Sequence, residues 1–167
     1  MVRAFIAVAL SDHLVRILRD LNGGQEDVRW VPSPRLHSTL QFFEGVNRSE
    51  LTKCFEEIRA ERTNVEIGPK IRILGRGNVV VPVQGLTNLA KQVRSATLHL
   101  AAESELPFVG HITIGRIKGN KKTDLEGTEI EASFQVRKLL LVESVLHPEG
   151  PESVSYTHLP LPTILLV

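Results

Sequence analysis

The sequence predicts an α+β fold of two similar lobes, in which duplicated β-α-β units carry mainly antiparallel sheets around a central cleft. Two observations support this prediction. Segments with strand and helix patterns follow one another in the order β, α, β, β, α, β, which is typical of α+β domains. A pattern of histidine, any residue, threonine and an apolar residue also occurs twice, at residues 37–40 and 111–114, about half the chain apart.

The first half of the chain contains a strand pattern followed by a helix pattern, the two patterns expected in each lobe. A compact apolar run is typical of a central strand, and helical spacing of leucines and isoleucines follows it. Asn47 with Glu50 three residues later has the form of a capping box at the next helix. The predicted elements are, in order, a strand over 2–10, a helix capped by Ser11 or Asp12 and ended by Asn22-Gly23-Gly24, a short strand over 28–31, the first motif strand over 35–43, and a helix after Asn47.

The second half repeats this alternation. Apolar residues at every second position predict a strand that is interrupted at Gly68-Pro69, since proline lacks the backbone donor that a strand interior needs. The predicted elements are a strand over 64–74, a returning strand over 79–83, a helix over 86–103, the second motif strand over 106–117, a strand over 134–146 and a last strand over 154–158.

Length and composition indicate one globular domain. The chain has 167 residues, of which 42% are hydrophobic and 23% charged, so it can bury a core without disulfides. Its single cysteine, Cys54, excludes an internal disulfide and a cysteine-cluster metal site, and we interpret it as an inert thiol. A net charge of +1 excludes a broad basic surface for nucleic acid.

The two ends of the chain have different interpretations. The apolar N-terminal run leads into Ser11, Asp12 and a charged helix rather than a cleavage site, so we interpret it as a buried strand. No apolar run reaches the length of about 18 residues typical of a membrane helix, and we expect a cytoplasmic protein. We place one bilobal domain at 1–158 and interpret 159–167, with two prolines and a bare apolar end, as an atypical and non-native tail.

Each repeated motif places an imidazole and a hydroxyl on one face of a strand. Side chains alternate along a strand with a period of two, so His37 and Thr39 point the same way, as do His111 and Thr113. Imidazole titrates near neutral pH, so a pair can act as general base and general acid. Threonine hydroxyls can hold the non-bridging oxygens of a phosphoryl group. The motifs therefore predict acid-base chemistry on a phosphoester.

Arg116 is a further candidate for contacting a phosphate. It lies five residues after His111, so a regular strand would place it on the opposite face. We expect it to reach the cleft through a bend at Gly115.

The alternative interpretations are weaker. A metal site at His37 and His111 lacks a third ligand at recognisable spacing, so we predict none. His13 and His99 lie in helices without a partner pattern. Trp30 either packs in the core or stacks on a nucleobase.

The chain resembles the two-histidine phosphoesterase superfamily, and within it the RNA 2′,3′-cyclic phosphodiesterases, also called 2′–5′ RNA ligases. The resemblance extends over residues 1–151 in the family's order. The matching segments are Arg3-Ala4-Phe5-Ile6-Ala7-Val8, Val28-Arg29-Trp30-Val31-Pro32, Leu36-His37-Ser38-Thr39-Leu40, His111-Ile112-Thr113-Ile114-Gly115-Arg116 and Glu143-Ser144-Val145-Leu146-His147-Pro148-Glu149-Gly150-Pro151.

The resemblance implies hydrolysis of a 2′,3′-cyclic phosphate at an RNA 3′ end to a 2′-phosphate, or the reverse 2′–5′ ligation, without metal or cofactor. It implies that His111 is the base and His37 the acid, and that Thr39, Thr113 and Arg116 hold the phosphate. The residues themselves do not decide which histidine is which. Ser38 departs from the family, which has a larger apolar residue there, and we expect it to affect packing rather than chemistry.

Two other kinds of function remain open at this point. One is hydrolysis of another small cyclic or 2′–5′ nucleotide, such as ADP-ribose 1″,2″-cyclic phosphate or an oligoadenylate. The other is binding of RNA ends without catalysis. Because one chain supplies all five candidate residues, we expect a monomer without an obligate protein partner.

Overall fold

The computed structural model describes residues 1–22, 26–100, 107–148 and 150–161. Within these residues ten strands form two antiparallel sheets, and there are three α-helices. The strands are β1 (Val2–Ala9), β2 (Val28–Trp30), β3 (His37–Val46), β4 (Thr63–Ile67), β5 (Arg72–Leu74), β6 (Asn78–Gln84), β7 (His111–Ile117), β8 (Ala132–Val136), β9 (Lys138–His147) and β10 (Gly150–Pro160). The helices are α1 (Asp12–Asp20), α2 (Arg48–Glu56) and α3 (Thr87–Ala96).

The two sheets correspond to the two predicted lobes. The first has the strand order β10-β9-β1-β3, and the second has the order β2-β7-β6-β4-β8, with β5 also paired to β6. In each lobe a first strand is followed by a helix and by a motif strand that pairs antiparallel with the first strand, as β1-α1-β3 and as β6-α3-β7. The predicted bilobal α+β fold with repeated β-α-β units is confirmed.

Helix capping and core packing follow the sequence pattern. The Ser11 side chain accepts a hydrogen bond from the Leu14 backbone N–H, and Asn47 accepts one from Glu50, so α1 and α2 begin at the predicted caps. One buried apolar cluster contains residues from both sheets and the helices between them. Leu40 and Ile112 belong to this cluster, so the apolar residues of both motifs anchor their strands in the core.

Two predicted elements differ from the structure. The strand over 134–146 is two strands that separate at Arg137, because β8 pairs with β4 in one sheet and β9 pairs with β1 in the other. The helix over 86–103 is shorter: α3 ends at Ala96, and the backbone N–H and hydroxyl of Thr97 both donate to the Val93 carbonyl before a 3-10 turn over Leu98–Leu100. Residues 101–103 lie outside the described residues.

The described structure continues past residue 158, the predicted C-terminal boundary of the domain. β10 continues to Pro160, which an edge strand tolerates because its missing N–H faces no neighbouring strand. Leu161 is buried, its N–H donates to the Arg137 carbonyl, and its carbonyl accepts from Arg62. Residues 162–167, the rest of the predicted tail, lie outside the described residues.

Candidate active site

The two motif strands meet where the two sheets adjoin. β3 is the outer strand of the first sheet, and Ser38 in its motif donates a hydrogen bond to the backbone carbonyl of His111, the first residue of β7, at 2.8 Å. The two histidines therefore lie on neighbouring strands of different sheets, on either side of one cleft.

Both motif strands contain one extra residue at the last position of the motif. In the pairing of β1 with β3, Ile6 lies opposite Gln41 and Ala7 lies opposite Thr39, so Leu40 has no partner. In a β-bulge of this kind the bulged strand bends and the following side chain is redirected.

The second motif has an equivalent bulge. In the pairing of β6 with β7, Val79 lies opposite Gly115 and Val80 lies opposite Thr113, so Ile114 has no partner. The two bulges occupy the same position relative to the histidines, which supports the predicted internal repeat.

This second bulge places Arg116 on the same face as His111. β6 has no extra residue in this stretch, so its alternate residues share one face, and so do their partners on β7. The pairs on that face are Asn78 with Arg116, Val80 with Thr113, and Pro82 with His111. The five-residue spacing is thus compatible with a cleft position for Arg116, which is exposed.

Phe42 takes the place in the first motif strand that Arg116 takes in the second. It follows Thr39 by three residues, is 39% exposed, and lies under the Arg3 guanidinium, whose carbon is 5.2 Å from the ring centre. Its neighbour Phe43 is buried. The cleft is therefore asymmetric, with an aromatic residue on one wall and an arginine on the other.

The two imidazoles are oriented in the same way. His37 Nδ1 lies 2.7 Å from the Arg35 carbonyl, and His111 Nδ1 lies 2.9 Å from the Val109 carbonyl, in each case two residues upstream. A carbonyl oxygen only accepts, so both Nδ1 atoms carry the proton and each Nε2 is left for proton exchange with a substrate. His37 Nε2 also lies 3.1 Å from the Thr39 hydroxyl.

Burial shifts the protonation of His37. The Phe5 ring stacks on its imidazole with ring centres 4.7 Å apart and an interplanar angle of 20°. Burial lowers the pKa of His37 below the usual value of 6.5, the hydrogen bond to Arg35 opposes this shift, and the neighbouring His111 adds to it. In the free protein the neutral form of His37 is favoured near neutral pH.

We expect His37 to titrate below about pH 6.5 in an NMR titration of its imidazole resonances. Phe5→Ala should raise this pKa, because removing the ring admits water to the imidazole, whereas Phe42→Ala removes a ring that does not stack on His37 and serves as the control. Adding inorganic phosphate should also raise it, since an anion stabilises the imidazolium. A His37 pKa that does not respond to Phe5→Ala would contradict this account.

Ser38 makes a hydrogen bond that the expectation of a packing role did not include. Ser38 is fully buried, but its hydroxyl satisfies a carbonyl that β6 does not reach. The Val83 N–H donates to the Gly110 carbonyl, so His111 and Pro82 form a non-hydrogen-bonded pair and the His111 carbonyl points away from β6. Ser38 thus connects the first motif directly to the histidine of the second.

Comparison with known proteins agrees with this geometry. No family model matches the chain. It is 29% identical over 175 residues to the RNA 2′,3′-cyclic phosphodiesterase of Methanothermobacter thermautotrophicus, covering 90% of this chain and 94% of that protein. It is 28% identical over 171 residues to the protein of that name from Archaeoglobus fulgidus, covering 89% and 94%. The crystal structure of E. coli LigT in apo form has a TM-score of 0.74 at 22% identity, covering 96% and 97%.

The chain is thus similar along most of its length to two proteins named RNA 2′,3′-cyclic phosphodiesterase, and it shares its fold with LigT.

Several groups of the candidate site were not predicted as part of it. Phe5 and Arg29 stand in segments that carry the resemblance, but only strand pairing places them on the cleft face, Phe5 opposite Phe42 and Arg29 opposite Arg116. Ser38 was visible only as a departure from the family pattern. Assigning these three residues to the site requires the register in which the strands pair, which the sequence does not show.

The remaining predicted features lie elsewhere in the fold. Cys54 is partly buried on α2, with its Sγ 3.5 Å from His99 Nε2, and His13 is exposed on α1. Trp30 is partly buried and packs against the core. Within the described ranges, no three His, Cys, Asp or Glu side chains are grouped as metal ligands, and no helix has the length and apolar character needed to span a membrane.

Proposed function

We propose that the protein hydrolyses the 2′,3′-cyclic phosphate at an RNA 3′ end to a 2′-phosphate, using His37 and His111 as an acid-base pair. The observation that carries the proposal is the matched orientation of two imidazoles, each with Nδ1 held by a carbonyl and Nε2 left for chemistry, beside a threonine. The names of the two archaeal relatives indicate the substrate class.

The proton transfers form a balanced sequence. His111 Nε2 takes a proton from water as the water oxygen bonds to phosphorus, and the bond from phosphorus to the 3′ oxygen breaks. His37 gives its Nε2 proton to that leaving oxygen. The 2′–5′ ligation uses the same steps with a 5′-hydroxyl in place of water: His111 takes the hydroxyl proton, the 5′ oxygen bonds to phosphorus and the 3′ oxygen leaves with the proton from His37, so neither reaction needs a metal or a nucleotide cofactor.

Thr39, Thr113 and Arg116 hold the phosphate in this proposal. The two threonines lie two residues from their histidines on the cleft face, and the bulge at Ile114 adds Arg116 to that face. Hydroxyl and guanidinium donors can stabilise the charge that builds on non-bridging oxygens in the transition state.

The bound phosphate also prepares His37 for its role as acid. A general acid must carry a proton, whereas burial favours the neutral imidazole in the free protein. An anionic phosphodiester beside the ring favours the charged form and raises the pKa of His37. Substrate binding thus supplies the proton-bearing state that the leaving oxygen requires.

The decisive experiment is turnover of an RNA ending in a 2′,3′-cyclic phosphate, with EDTA present. We expect a 2′-phosphate product and no loss of rate on chelation. ADP-ribose 1″,2″-cyclic phosphate and 2′–5′ oligoadenylate are assayed in parallel. Faster turnover of either would identify another phosphoester, and binding of the RNA end without turnover would identify a non-catalytic binding protein.

We also propose that the protein acts as a monomer in the cytoplasm, where RNA ends are accessible. All five candidate residues come from one chain. Sedimentation velocity should give a single species of 18.6 kDa, and a dimer at assay concentration would contradict the proposal.

Ser38 should act on this reaction as a positioning residue. Ser38→Thr keeps the hydroxyl, and Ser38→Val introduces a side chain of nearly the same shape as threonine but without the hydroxyl. Comparing the two variants therefore isolates the hydrogen bond to His111. We expect kcat of the valine variant to be about 10–100-fold below that of the threonine variant, with KM little changed, because small displacements of a catalytic group are costly. Equal kcat values for the two variants would reduce Ser38 to a packing role.

A further inference from the structure

An arginine outside the motifs lies on the same cleft face as the proposed phosphate-binding residues. Arg29 on β2 pairs directly with Arg116 on β7, and Arg116 pairs in turn with Asn78 on β6. Directly paired residues of antiparallel strands project to the same face, so these three side chains form a row across the sheet. All three are exposed.

β2 is firmly attached at this point. The Val31 N–H donates to the Ile114 carbonyl, and the Lys118 N–H donates to the Asp27 carbonyl, each at 2.9 Å. These bonds flank the Arg29 pairing on both sides, so the position of Arg29 relative to Arg116 is set by the backbone.

The arrangement has an electrostatic cost without a bound anion. Like charges directly opposite one another on neighbouring strands are destabilising. In the described part of the chain the ion pairs are Arg3 with Glu44 and Arg48 with Glu143, and neither involves this row. Two arginines that have no acidic partner among the described residues, near Thr113, suit an anionic ligand that extends beyond one phosphate.

The spacing of these residues indicates where a second phosphate of the ligand would lie. Measured along β6, which has no bulge here, the row of Arg116 and Arg29 is two residues from the row of Thr113, a rise of about 7 Å. Arg116 lies on the same strand as Thr113, and Arg29 lies on the next strand, further from Thr113. A phosphate held at Thr113 therefore leaves Arg29 for the next phosphate of a chain.

We propose that Arg29 binds the phosphodiester on the 5′ side of the terminal nucleotide, so that the protein prefers an RNA of at least two nucleotides to a mononucleotide cyclic phosphate. This inference rests on the proposed function and specifies its substrate. Arg29 contacts no reacting atom and determines substrate length.

The test compares two dinucleotides that end in a 2′,3′-cyclic phosphate and differ only in their internal linkage, a charged phosphodiester or an uncharged methylphosphonate. For the wild type, kcat/KM should favour the charged linkage by about five- to tenfold, the strength of an exposed charge-assisted contact. In Arg29→Gln this ratio should fall to about one. Arg16→Gln, the same change on the exposed surface of α1, should keep the wild-type ratio.

The same ratio is measured as Kd for dinucleotides that end in a 2′-phosphate, which requires no turnover. A wild type that hydrolyses neither dinucleotide refutes the proposed function, while the Kd ratio still decides the role of Arg29. A wild-type ratio near one, or an unchanged ratio in Arg29→Gln, overturns the inference.

Discussion

Replacing His37 or His111 with alanine should lower the rate of RNA 2′,3′-cyclic phosphate hydrolysis by about 10²–10⁴-fold, the usual cost of removing a proton-transfer group. Each imidazole is held at Nδ1 by a carbonyl two residues upstream and leaves Nε2 for the substrate, so the alanine variants lose the atom that transfers the proton. The measurement is the single-turnover rate with EDTA present. The double variant should be little slower than either single one, because the two groups act in one step.

The chain provides matched controls for this experiment. His13 is exposed on α1 and His99 is exposed in the 3-10 turn after α3, both away from the paired motif strands. His13→Ala and His99→Ala should keep the wild-type rate. A His37 or His111 variant with wild-type activity would show that the motifs are structural, and an equal loss in the control variants would indicate a general effect on folding.

Gly115→Ala should destabilise the protein by about 2–3 kcal/mol, as expected for overpacking at a tight strand contact. A Cβ built on Gly115 would lie 2.5 Å from Val28 Cγ1 and 3.0 Å from the Arg29 carbonyl oxygen. β2 would have to move away from β7, which also displaces Arg29 from Arg116. Urea unfolding followed by circular dichroism gives the change in the free energy of unfolding.

A double-mutant cycle separates this contact from a general effect. Val28→Ala removes the nearest atom, so Gly115→Ala should cost less in the Val28→Ala background than in the wild type. Gly119→Ala is the control for loss of a glycine: open space surrounds it, and its φ of +53° makes a cost of about 1 kcal/mol expected. Additive effects of Gly115→Ala and Val28→Ala would contradict the proposed contact.

Arg116 shows how far strand alternation predicts a site. Alternation alone predicts that its side chain lies on the other face of the strand from His111, and Gly115 was the reason to expect a bend. The structure contains the bend as an unpaired Ile114, and the same irregularity occurs at Leu40, the last residue of the first motif. A bulge is a property of a strand pair, so no pattern within β7 alone could locate it.

The errors at the predicted elements have a related cause. Residues 134–146 carry one continuous strand-like pattern, yet the chain changes sheets at Arg137 because β4 and β1 pair with its two parts. Pro160 suggested the end of a strand, but an edge strand accommodates it. In both cases the neighbouring strand decides, and neighbours are distant in the sequence.

The sequence by itself determined the α+β alternation, the helix caps at Ser11 and Asn47, and the shared face of histidine and threonine in each motif. These features depend on local propensity and on periodicity within one element. Only the tertiary structure brought β3 against β7 through Ser38, stacked Phe5 on His37 and set Arg29 beside Arg116. Those contacts depend on strand register and sheet order, which arise when segments far apart in the chain pair and bury a common core.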